Sequence, residues 1–161
     1  MKDHITKIKI KGEYYVLGWE VYKSAIKTYE AYIMKTLDPP RQELIESLQS
    51  MAEHVAEICE LKKDDAKKIK VTGITIVHKH DTRYITITAK KKLATSKSPL
   101  IINTPIRSDT GEEPYCMSEK MLLDLQILED EAWRYIRGER TQQKLSLFDF
   151  GDEEDRENRN E

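Results

Sequence analysis

Residues 69–89 read IKVTGITIVHKHDTRYITITA. Ile69, Val71, Ile74 and Ile76, then Tyr84, Ile85 and Ile87, are β-branched or aromatic residues set among polar ones. The cluster His-Lys-His-Asp-Thr between them is turn chemistry. Two β-strands around a tight turn are expected, with a bulge at Gly73. Upstream, ITKIKIKG at 5–12 sets Ile8 and Ile10 at period two among lysines, which predicts a half-buried strand. EYYVLGWEVY at 13–22 pairs with it as a hairpin, and a further strand is expected near 28–36. Downstream, SPLIINTPI at 98–106 is a short strand closed by Pro105, and DTGEEPYC at 109–116 is a loop.

Two segments carry the other period. In 37–63, Leu44, Leu48, Met51, Val55 and Ile58 recur at spacings of three and four, an amphipathic helix of about six turns. Asp38 is expected to cap it, with Pro39 and Pro40 in its first turn. In 118–138, Met121, Leu125, Leu128, Ala132 and Ile136 form one face, with Ser118 as cap and Gly138 as stop. The order of elements predicts an α+β fold. It would be an antiparallel sheet of about five or six strands with two amphipathic helices packed on it. A single domain over 1–138 and a tail over 139–161 are expected.

Charge is unevenly distributed. Residues 149–161 hold seven acids and two arginines, which leaves 25 basic and 22 acidic residues in 1–148. A mildly basic body therefore precedes an acidic tail of disordered composition. The two cysteines, Cys59 and Cys116, form no metal-binding spacing, and Cys59 falls on the apolar stripe of the first helix. No apolar run resembles a signal peptide or a membrane span, so a cytoplasmic protein with no membrane association is expected.

Catalytic signatures are missing from the sequence: it contains no nucleophile elbow, no P-loop and no glycine-rich phosphate cradle. His78 and His80 stand two apart and would share a strand face, but no third metal ligand accompanies them, and a solvated hairpin tip is the plainer reading. Glu43, Glu46, Glu53, Glu57 and Glu60, and again Glu129, Asp130 and Glu131, read as solvated helix faces. A non-enzymatic protein without cofactor or metal is expected. Lys7, Lys9 and Lys11 on the first strand, with Lys90, Lys91 and Lys92 after the central hairpin, could form a basic face that tracks a phosphate backbone. Tyr14, Tyr15, Trp19 and Tyr84 would supply stacking planes for single-stranded DNA. The plainer reading of the strand lysines is protection of sheet edges.

The tail poses a separate question. Leu145, Leu147, Phe148 and Phe150 stand in QQKLSLFDF, directly before the acids. Leu145, Leu147 and Phe148 would each gain roughly 1.5–3 kcal/mol on burial in a partner's groove. The segment LSLF at 145–148 resembles the apolar half of the motif by which bacterial proteins bind the β sliding clamp. Lys144 stands where the short form of that motif has Gln, and Gln143 comes one residue early. Gln142, Leu145 and Leu147 fit the longer form. More widely, YIRGERTQQKLSLF at 135–148 resembles the ending of a family of small phage and prophage proteins, with Glu139 in place of the usual Lys. IKVTGITI, LIINTPI and the Asp38-Pro39-Pro40 opening are similar to that family too.

The resemblance implies an accessory protein of phage DNA replication or recombination, acting in a bacterial host cell. Gln142, Gln143, Leu145, Leu147 and Phe148 would dock on the host clamp or another replication protein. Alternatives remain open. The tail could return to its own sheet as a final strand, or pair with a second copy to make a homodimer. An acidic tail also resembles those of single-stranded DNA-binding proteins. Inhibition of a host defence system is a further possibility.

Overall fold

The computed structural model describes residues 2–140. The expected docking motif, Gln142, Gln143, Leu145, Leu147 and Phe148, lies outside the described residues, as does the acidic block. The fold is α+β: a seven-stranded antiparallel sheet with helices on one of its faces.

Strands β1 (His4–Lys11), β2 (Tyr14–Lys23) and β3 (Thr28–Thr36) form a meander. The chain then leaves the sheet through helices α1 (Gln42–Gln49) and α2 (Ala52–Ile58) and a 3₁₀ turn at Lys63–Lys68. It returns as the central hairpin β4 (Ile69–Lys79) and β5 (Thr82–Lys91), with β4 beside β1. Strands β6 (Leu100–Asn103) and β7 (Arg107–Ser108) line the outer edge of β5. Helix α3 (Glu119–Ile136) crosses back over β1 and packs on α1. The sheet order is β3-β2-β1-β4-β5-β6.

The central hairpin forms as its residues dictate. Lys79 pairs with Thr82, so the loop is His80-Asp81 alone, and both have positive φ, +50° and +62°. That is the backbone a two-residue hairpin loop demands, and Asp tolerates it better than most residues. The register shifts between Val71 and Gly73, which places the expected bulge. The bulge lets Ile69 and Val71, then Ile74 and Ile76, all reach the same dry face across a break in alternation. A second register shift, between Ile5 and Lys7, does the same for Ile5 and Ile8, which are three apart in sequence yet both fully buried.

The helical segment departs from expectation in two ways. Asp38 and Pro39 each precede a proline, which drives them out of helical backbone. The helix therefore starts at Gln42, and Arg41 stands at its N-cap without a side-chain bond, so Asp38 is not the cap. The six expected turns are also broken at Ser50 and Met51. There the Ser47 hydroxyl donates to the Leu44 carbonyl (2.9 Å), and the Ser50 hydroxyl to that of Ser47 (2.6 Å). Serine hydroxyls that bond back to preceding carbonyls bend a helix. The apolar stripe survives the break, because Leu44, Leu48, Met51, Val55 and Ile58 are all buried. Helix α3 follows its sequence: Ser118 Oγ accepts from the Met121 N–H, and Gly138 ends it at φ +100°.

One core joins the sheet face of Ile5, Ile8, Leu17, Ile74, Ile76, Ile85 and Ile87 to the helix stripes. Glu139 and Arg140, expected to open the tail, belong to the folded body. The Arg140 guanidinium lies over the Tyr135 ring (3.8 Å) and donates to the Tyr135 carbonyl (2.6 Å). No helix among the described residues is long and apolar enough to cross a membrane.

Leu125 and Leu123 give the test of this one-sided packing. Leu125 is fully buried, whereas Leu123, two positions away on α3, is 66% exposed. Leu125→Ala is expected to cost about 2–5 kcal/mol. Leu123→Ala is expected to change stability by less than about 0.5 kcal/mol. Urea unfolding of the two variants checks both values.

Candidate nucleic-acid interface

Every helix of the described residues packs on one side of the sheet, so the residues that alternate with the core point to the other side. The pairing register assembles them into rows. One row runs Lys35, Val16, Lys9, Gly73, Thr88, Asn103 across six strands. The next runs Ile33, Gly18, Lys7, Thr75, Thr86. At one end Lys11 pairs with Tyr14, and Lys70, Lys90 and Ile101 pair in series. At the other, Val77 pairs with Tyr84. None of these residues is acidic; Glu20 enters only in the following row, opposite His4.

Six lysines therefore share one face: Lys7, Lys9, Lys11, Lys35, Lys70 and Lys90. Alternate residues on a strand stand roughly 6.8 Å apart, inside the screening distance of physiological salt. Partial burial, and after it the ammonium groups of Lys7 and Lys11, hold the Lys9 amine below its usual range. The Lys35 ammonium lies 4.4 Å from the centroid of the Tyr14 ring. Tyr14 is 43% exposed and Tyr84 36%, at opposite corners of the face.

Two glycines make room for the central lysines. A Cβ on Gly73 would lie 2.8 Å from Lys9 Cγ and 3.1 Å from the Ile8 carbonyl oxygen. A Cβ on Gly18 would lie 2.9 Å from Thr6 Oγ1 and 3.2 Å from Lys7 Cβ. Each glycine lets a lysine stem lie close across the neighbouring strand.

The expected site residues separate accordingly. Lys7, Lys9, Lys11 and Lys90 come together. Lys91 does not join them: it pairs with the buried Ile69 and meets Asp65 at 3.8 Å on the helix side. Lys92 lies beyond β5, where its N–H donates to the Lys68 carbonyl. Among the expected stacking residues, Tyr14 and Tyr84 are on the open face. Tyr15 meets Tyr135 edge to face, and Trp19 packs against the core and stacks on Tyr32. Lys35 and Lys70 were missed, although their alternation with apolar neighbours in YIMKT and KIKV was the available signal.

The other prominent hollow, of about 870 Å³, lies at the hairpin end between the sheet and α3. His78 stacks on His4 there (3.8 Å between centroids), and its Nε2 faces the Ile5 carbonyl at 3.3 Å. His80 sits in the turn, so the two histidines do not share a strand face. Arg83 in the same hollow is bound by Asp109 (3.0 Å) and by Glu129, which neutralises it. Burial pushes the Glu129 carboxyl above its ordinary range, against the pull of Arg83. This polar cluster ties α3 to the hairpin.

Two outcomes are expected. Gly73→Val should cost about 1–3 kcal/mol in urea unfolding, because the new side chain overlaps Lys9 and the β1 backbone. His78 supplies a pH dependence. Burial first, then the neighbouring His4, hold its imidazole below its ordinary value of 6.5. As pH falls through that value the unfolded chain takes up a proton that the folded chain resists, so stability declines. His78→Gln should remove that part of the decline, measured by urea unfolding at about pH 7.5 and about pH 5.5.

No protein-family model, curated protein or solved structure matches the chain, so the chemistry of the open face is what bears on its role.

Proposed function

We propose that the protein is a non-enzymatic accessory of DNA metabolism that binds single-stranded nucleic acid across the open face of its sheet. The observation that carries this reading is a field of six lysines, with Thr75, Thr86, Thr88 and Asn103 between them, that among the described residues holds no acid in its rows and is covered by no helix. Lysines neutralise phosphates and release their counterions, which supplies affinity without sequence preference. Hydroxyl and amide groups between the lysines donate to phosphate and sugar oxygens. Tyr14 and Tyr84 offer ring faces to bases, which only an unpaired strand presents. The major groove of a duplex admits a helix or a two-stranded ribbon. A face at least five strands wide is too broad to enter it and suits a strand laid across it.

The phage-family resemblance points to the same class of process. In that setting Gln142, Gln143, Leu145, Leu147 and Phe148 would dock on the host clamp or another replication protein, while the sheet holds the strand. The two activities separate experimentally: Leu147→Ala with Phe148→Ala should abolish capture by purified clamp and leave nucleic-acid binding intact.

Fluorescence anisotropy with a labelled oligothymidine of about 20 nucleotides tests the sheet reading. The full chain should bind at low salt and weaken steeply between about 50 and about 200 mM. Lys7→Glu with Lys9→Glu should reduce affinity at least about tenfold and flatten the salt dependence by about 0.7 per lost phosphate contact. Lys91→Glu, on the opposite side, should leave binding unchanged. An anisotropy that does not move at low salt, or equal losses from both faces, would refute the reading.

A further inference from the structure

Away from the lysine face, the structure assigns a divalent transition-metal site to Glu53, His54 and Asp124, where α2 meets α3. One ligand atom from each residue lies within 4.8 Å of the other two. His54 Nε2 stands 2.7 Å from Asp124 Oδ2 and 3.8 Å from Glu53 Oε1. In tetrahedral zinc coordination, ligand atoms stand about 3.4 Å apart, so shifts of under about 1 Å complete the geometry. The three residues come from α2 and α3, which both contribute to the one core.

The electrostatics of the cluster call for a cation. Two carboxylates face one another across a His54 side chain that is only 3% exposed. The Lys120 ammonium answers them, bonding to Glu53 and lying 3.3 Å from Asp124 Oδ2. One monovalent charge between two carboxylates leaves the cluster negative. Lys120 is itself 65% exposed and hangs on a flexible stem, so it can swing into water. A divalent ion would take its place with twice the charge and add a bond to nitrogen that an ammonium cannot make. His54 Nε2 now donates to Asp124 Oδ2 (2.7 Å); the ion would displace that proton, leave the ring as its Nδ1–H form and take the freed Nε2 lone pair.

One imidazole and two carboxylates suit Zn²⁺ or Mn²⁺ better than Mg²⁺, which keeps most of its water. Glu53, His54 and Lys120 also line a hollow of about 420 Å³. A fourth position therefore opens toward solvent, where water completes the shell. With three ligands drawn from both helices, the bound ion would brace α2 against α3 and stabilise the fold by mass action.

Isothermal titration calorimetry of the full chain with zinc chloride, paired with thermal unfolding, tests the site. The wild type should bind one zinc ion and unfold at a higher temperature in its presence; magnesium chloride should do neither. Lys120→Ala should tighten zinc binding several-fold, because the competing ammonium is gone. Asp124→Asn should weaken it at least tenfold, and Glu53→Gln should do likewise without touching the buried imidazole. The double variant His78→Gln with His80→Gln should bind as the wild type does. Absence of zinc binding in both the wild type and Lys120→Ala would overturn the site. So would binding that survives Asp124→Asn and Glu53→Gln but is lost with His78 and His80.

Discussion

The rest of the structure depends on the burial of a single sheet face. Ile5, Ile8, Leu17, Ile74, Ile76, Ile85 and Ile87 have one dry side available, and both helical excursions cover it. Each such side chain is worth roughly 1.5–3 kcal/mol when removed from water. Because β4 returns to the middle of the sheet beside β1, the connection from β3 must pass β2 and β1; α1 and α2 then pack on β4, α2 reaches β5, and α3 covers β1. Two bulges keep the branched residues in phase with that side despite broken alternation. A slip of one residue would turn the core face outward and drive lysines inward.

The same constraint creates the opposite face. Once alternate residues are committed to the core, their neighbours are committed to water, and in β1 those neighbours are Lys7, Lys9 and Lys11. Antiparallel register then decides which residues from other strands join them. Lys35 arrives through Val16, and Thr88 and Asn103 through Gly73. The helix side is different in character. Its charges pair off, with Arg83 between Asp109 and Glu129, Lys91 on Asp65, and Lys120 between Glu53 and Asp124. Opposite charges interleaved on the helix side, and rows of lysines without acids on the other face of the described residues, give the body its polarity.

Much of this architecture was legible in advance, for identifiable reasons. A period of two over Ile85 and Ile87, and spacings of three and four from Met121 to Ala132, are local signals that each element states by itself. Gly138 and Ser118 announced the ends of α3 because their effect is confined to one turn. The N-terminus of α1 was misread because two consecutive prolines act on the residues before them, and that outweighed the capping chemistry of Asp38. The break at Ser50 was missed because the stripe of buried residues continues through it, and periodicity reports burial rather than hydrogen bonding. The lysine field was legible only in part. Lys7, Lys9 and Lys11 lie on one strand, but Lys91 sits one residue from Lys90 and faces the other way.

The sequence by itself determined the class of fold, the identity of the core residues and the alternation that sends lysines to one side. These follow from periodicity and turn chemistry, which act over a few residues. Tertiary structure alone decided which strands became neighbours, and so which lysines, threonines and tyrosines share a surface. It also brought Asp124 to His54 across 70 positions of chain. Such encounters depend on register and on how helices cross the sheet, and no local pattern encodes the distance between residues that meet only after the core has closed.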